Sequence, residues 1–120
     1  MNHIISLISP GQLIRAFSNS LAGLKHAITS ERAFQQEVVL LLVGSAAAFV
    51  LSEVAVERAL MIGSLALVLI VELLNSAVES AVDRVGTEQH PLSKIAKDLG
   101  SAAVLISLAT AAAIWIIILI

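Results

Sequence analysis

The 120-residue chain has no cysteine, two prolines, 3% aromatic residues and 13% charged residues. Without cysteine there is no disulfide framework and no thiolate metal site, so the redox compartment is left open. The charge deficit is the more telling absence, because a soluble domain carries about 25% charged residues. A formal net charge of -2 argues against a nucleic-acid binder. The standard phosphate motifs are missing too: there is no G-x-x-x-x-G-K-[ST], no G-x-G-x-x-G and no D-F-G. H-E-x-x-H is also absent. No secretory leader is expected, since "MNHIISLISP" has neither a basic n-region nor a sufficient apolar run.

What the chain has is aliphatic mass. It is 58% hydrophobic, with a mean hydropathy of +0.98. Three apolar runs cover 38–51, 59–82 and 99–120, and the last contains no charge. The second and third exceed the ~20 residues that cross a bilayer core, and the first reaches that length if its helix extends back through "SERAFQQE". There Thr29 or Ser30 would cap, with Glu31 in the first turn. The predicted spans are about 31–51, 59–83 and 92–119, with Pro91 in the first turn of the last.

Ahead of them, Leu13, Phe17, Leu21, Leu24 and Ile28 recur at spacings of three and four, with polar residues between. This predicts an amphipathic helix over about 10–28, lying in the membrane interface or packed on protein. The predicted fold class is therefore an all-α membrane protein, a single domain over 1–120 with three spans after a surface helix. Six of the seven Lys and Arg residues lie before the first apolar run or between the second and third, and the exception is Arg58. That bias predicts a cytoplasmic N-terminus, an external C-terminus and Trp115 near the outer interface. Arg58 reads as a plain loop cation.

The second run is not purely apolar. At 100° per residue, Glu72, Asn75, Ser76, Glu79 and Asp83 fall on one stripe, spread over roughly 16 Å of axis. Facing lipid, each central charge would cost at least about 2.5 kcal/mol, so the stripe must face protein or a wet cleft. Three helices enclose little, which points to further subunits. Gly63, Ser64, Ala66, Gly100, Ser101, Ala102 and Ala103 would allow the close contacts. Two readings of the stripe are open: neutral carboxylates acting as structural glue, or a functional site. Asn75 divides in the same way. Glu31, Glu37, Glu88, His90, Lys94, Lys97 and Asp98 gather on the predicted cytoplasmic side, a mixture that suits a metal-bound polyphosphate. Glu37, Asp83 and the lysines also read as solvated helix-end charges.

Three segments resemble a known family. "VELLNSAVESAVDRVG" followed by "AKDLGSAAVL", with "GLKHAITSERAFQQE" before them, is similar to the prokaryotic diacylglycerol kinases. The joint pattern E-x-x-N-x-x-x-E, then A-K-D-x-G-S-A-A, is specific, and the likeness covers nearly the whole chain. The resemblance implies a cytoplasmic-membrane homotrimer with active sites shared between subunits. It implies transfer of the γ-phosphoryl group of Mg-ATP to diacylglycerol, giving phosphatidic acid. By the same resemblance Glu72 is the catalytic base, and Glu31 and Glu79 hold Mg²⁺ and contact ATP. Glu88, His90, Lys97 and Asp98 are further ATP contacts, while Asn75, Ser101 and Trp115 join Glu72 on the lipid substrate. Gln12, Asn19, Gln89 and Pro91 depart from residues common in the family, which bears on the nucleotide contacts and not on the carboxylates. Two alternatives stand beside this expectation. One is an undecaprenol kinase with the same catalytic parts. The other is a non-catalytic oligomeric channel or transporter, for which an intramembrane carboxylate stripe is also suited.

Overall fold

A computed structural model describes residues 9–120 together with Ile4 and Leu7. The described residues form helices with no strand: α1 (Pro10–Ser30), α2 (Arg32–Leu51), α3 (Ala55–Val85) and α4 (Pro91–Leu119). The last three are long and apolar enough to cross a membrane. At 1.5 Å per residue α2 is about 30 Å long, the thickness of a hydrocarbon core, while α3 reaches about 46 Å and α4 about 44 Å. The two longer helices must project beyond the apolar slab at one end or both. The chain divides into two compact units, Met1–Gln35 and Gln36–Ile120.

In the first unit α1 starts with Pro10 at a position where a missing N–H costs nothing. Its apolar stripe of Leu13, Phe17, Leu21, Leu24 and Ile28 is exposed, as an amphipathic surface helix requires. The end of α1 differs from expectation. Thr29 does not cap the next helix, because its hydroxyl donates back to the Lys25 carbonyl at 2.7 Å. Glu31 is a single extended residue between α1 and α2, at φ -116° and ψ 111°. Its N–H closes α1 on Ala27 O, and its carbonyl accepts the first bond of α2 from Gln35 N. The Gln35 side chain also donates to Ile28 O at 2.9 Å, satisfying a carbonyl that the end of α1 leaves over.

In the second unit α3 and α4 form the main packed pair. Leu65, Val68 and Ala111 are buried together, with Leu41 and Trp115 against them. Small residues set the spacing. A Cβ at Gly44 of α2 would run into Leu65 Cδ1, and one at Gly100 of α4 into Asn75 Oδ1. Gly63, named above for close contact, has open space around it in this chain. Hydroxyls inside the helices bond to their own backbone, as Ser64 does to Met61 O at 2.8 Å and Ser107 to Val104 O at 2.7 Å. That satisfies a polar group where no water is available.

The α2–α3 turn is tied by Arg58, which is more than a loop cation. Its guanidinium donates to Ser52 O at 2.7 Å and Phe49 O at 3.0 Å, and lies 4.6 Å from the centroid of the Phe49 ring. Ser52 is buried and donates to the Glu57 carboxylate at 2.5 Å. The free carbonyls ending α2 thus meet a cation held at the start of α3.

Candidate active site

The polar stripe of α3 runs from buried to exposed. Glu72 is 7% exposed, Asn75 and Ser76 are half-buried, and Glu79 and Asp83 are exposed. The gradient follows the helix axis, so one element presents carboxylates at graded depth.

Glu72 does not stand alone. Glu37 of α2 is 9% exposed, and its carboxyl group lies within hydrogen-bonding reach of that of Glu72. Glu37 Oε2 is buried with no hydrogen-bond partner among the described residues. Glu37 is therefore a core residue of the site and not a solvated helix-end charge. Sequence spacing gave no sign of this, because the two residues meet through packing of separate helices.

One turn further along, Asn75 Nδ2 donates to Glu79 Oε1 at 3.4 Å, a long bond. Asn75 Oδ1 is buried, also without a hydrogen-bond partner among the described residues, and it faces Gly100. A Cβ at residue 100 would force the Asn75 side chain to shift. Ser101, the next residue of α4, is exposed.

At the α3–α4 turn the stripe ends in a cleft of about 660 Å³. Four of the expected nucleotide contacts line it together: Glu88, His90, Lys97 and Asp98, with Asp83, Gln89, Pro91 and Lys94 beside them. Lys97 of α4 pairs with Asp83 of α3 at 2.7 Å, bridging the helices. Lys94 pairs with Asp98 on the same helix at 2.6 Å. His90 caps α4, its Nδ1 accepting from Leu92 N at 3.1 Å. That bond fixes Nδ1 as the acceptor, leaving Nε2 to carry the proton of the neutral ring.

Of the expected metal carboxylates, Glu31 belongs to the first unit and Glu79 to the second. No group of three or more His, Asp or Glu residues is arranged to hold a metal among the described residues. Carboxylates are the oxygen donors that Mg²⁺ takes, with waters and phosphate oxygens filling the rest of its shell. Trp115 is half-buried, with its indole N–H donating to Met61 O at 3.1 Å. That N–H is engaged within the protein and is not pointed at lipid headgroups.

These features define a helical membrane protein with paired carboxylates inside its helices and a mixed-charge cleft at one end. The sequence profile of the prokaryotic diacylglycerol kinases matches residues 18–119. A diacylglycerol kinase of Escherichia coli is 48% identical over 108 residues, covering 90% of this chain and 88% of that one. One from Pseudomonas aeruginosa is 50% identical over 108 residues with the same coverage, and one from Helicobacter pylori is 45% identical over 104 residues, covering 87% and 81%. The chain belongs to the prokaryotic diacylglycerol kinase family.

Proposed function

We propose that the chain transfers the γ-phosphoryl group of Mg-ATP to the primary hydroxyl of diacylglycerol, giving phosphatidic acid, with Glu72 as general base. Family membership supplies the reaction class and the lipid acceptor. The observation that carries the base assignment is the burial of Glu72 against Glu37 on the membrane-spanning part of α3. A carboxylate at that depth meets an acceptor that lives in the bilayer. The charged cleft is about 16 Å further along the helix from Glu72 to Asp83 and meets a donor that arrives from water.

Glu72 accepts the proton as the hydroxyl oxygen attacks the γ-phosphorus, and the bond to the β-bridging oxygen breaks to release ADP. Glu37 holds the Glu72 carboxyl in place. Asn75 and Ser101 contact the glycerol end of the lipid, and Trp115 its chain through the ring rather than the N–H. Lys97, with Glu88, His90 and Asp98, contacts the nucleotide. Glu31 and Glu79 would hold Mg²⁺, which when bound offsets phosphate charge. The nucleotide side is cytoplasmic, with the C-terminus outside. The exposed apolar faces of α4, including Leu99, Leu105 and Ile106, suit lipid or a second copy alike, and a homotrimer with shared sites is the proposed form.

The test is phosphate transfer by the purified protein in bicelles, with Mg-ATP and diacylglycerol, undecaprenol or no lipid. Diacylglycerol should be phosphorylated, and Glu72→Gln should abolish turnover while leaving Mg-ATP bound and the oligomer folded. Near-normal activity of that variant would sink the base assignment, and preference for undecaprenol would change the substrate.

A further inference from the structure

The cleft at the α3–α4 turn holds one more cation than the contacts above use. Lys94 lines it beside Lys97. It is the fourth residue of α4, counted from Pro91. At that end the backbone N–H groups already favour an anion, so a cation works against the helix dipole. The bond that holds it there is weak. Its partner Asp98 lies four residues further along the same helix, and the order of cation before anion is the less favourable of the two. Both side chains are well exposed, at 78% and 63%, and an ion pair in that setting contributes little.

Lys97 differs. Its partner Asp83 is on the other helix and that pair is less exposed, at 43% and 58%, so it is the firmer of the two. Lys94 can leave Asp98 without loosening any packing. A loosely held cation, placed against the dipole and facing a cleft with a second lysine, is suited to a ligand carrying several negative charges. We propose that Lys94 is a second polyphosphate-binding cation of this cleft, which releases Asp98 and takes a phosphate oxygen when Mg-ATP enters. The inference rests on the nucleotide reading of the cleft given above, and adds a residue to it.

The experiment compares the parent protein with Lys94→Ala and Lys94→Arg in two assays, equilibrium binding of Mg-ATP and steady-state phosphorylation of diacylglycerol. In Lys94→Ala, Kd and KM for Mg-ATP should rise about three- to fivefold, the scale of one partly exposed charge pair. The kcat at saturating nucleotide, the lipid KM and the thermal midpoint should hold, and arginine should restore the nucleotide affinity. The gap between parent and alanine variant should narrow as salt is raised. Unchanged Kd and KM in a folded alanine variant would overturn the proposal, as would a loss confined to kcat. A parent protein that binds Mg-ATP but phosphorylates no diacylglycerol would refute the lipid kinase reading, while the Kd ratio would still judge Lys94. A parent that does not bind Mg-ATP would refute both.

Discussion

Gly100 of α4 sits directly against the Asn75 side chain of α3, so close that a Cβ on residue 100 would overlap Asn75 Oδ1. The glycine is there for space, since its backbone is helical and no described glycine has positive φ. Gly100→Ala should push Asn75 aside, an overpacking cost of about 1–3 kcal/mol that outweighs the gain of up to about 1 kcal/mol in helix propensity. Turnover should fall with it, because Asn75 lies one turn from Glu72. Thermal unfolding and lipid phosphorylation measured side by side would check this. A variant with parental stability and activity would show that the helices separate freely.

Glu37→Gln keeps the shape of the side chain and alters its contact with Glu72. If Glu37 positions the base, turnover should drop by about 10²-fold, the loss expected from a small misplacement of a reacting group. Nucleotide affinity should be retained. Steady-state kinetics with both substrates varied separates the cases, and a rise in KM for ATP at unchanged kcat would place Glu37 in the nucleotide site instead.

Lys97→Ala offers a contrast between binding and stability. The Lys97–Asp83 pair is exposed to solvent, so its loss should leave the thermal midpoint close to that of the parent. The KM for Mg-ATP should nonetheless rise by about tenfold or more, because a charge-assisted contact to phosphate is lost. An ATP titration beside a melting curve reads both. A large fall in the midpoint with unchanged KM would make the pair structural.

Arg58→Ala removes donors from two carbonyls at the end of α2 and should destabilise the protein by about 1–2 kcal/mol. Turnover per folded protein should be unchanged, since Arg58 is at the opposite end of α3 from the cleft. Arg58→Lys should recover only part of the loss, because an ammonium lacks the planar fork that serves two acceptors and stacks on Phe49. Thermal melts with activity normalised to folded protein would test both statements.

The spans and the surface helix were legible because long apolar runs and a period of three to four residues are one-dimensional signals. The start of α4 at Pro91 was legible for the same reason, as proline at the first helical position is a local rule. The stripe from Glu72 to Asp83 also follows from spacing on one helix. The place of Glu37 does not. It is 35 positions from Glu72 and sits in a polar segment that reads as a solvated helix start, so only packing reveals the contact. The break at Glu31 was hidden because neither proline nor glycine marks it, and Thr29 bonds backward instead of capping. Arg58 and Gly44 were missed likewise, since their partners are set by how the turn closes and how α2 meets α3.

Placing Glu72, Asn75, Glu79 and Asp83 on a single helix has a mechanical consequence. Their separations are set by the rise of one rigid rod, about 10 Å from Glu72 to Glu79, and no domain closure can alter them. The substrates must come to a fixed ruler. What can vary is how deep that ruler sits, because a bilayer of different thickness tilts or shifts its helices while carrying the lipid hydroxyl to a new level. On the proposed base assignment the surrounding membrane becomes part of the alignment of the reaction, and the catalytic rate should respond to its thickness.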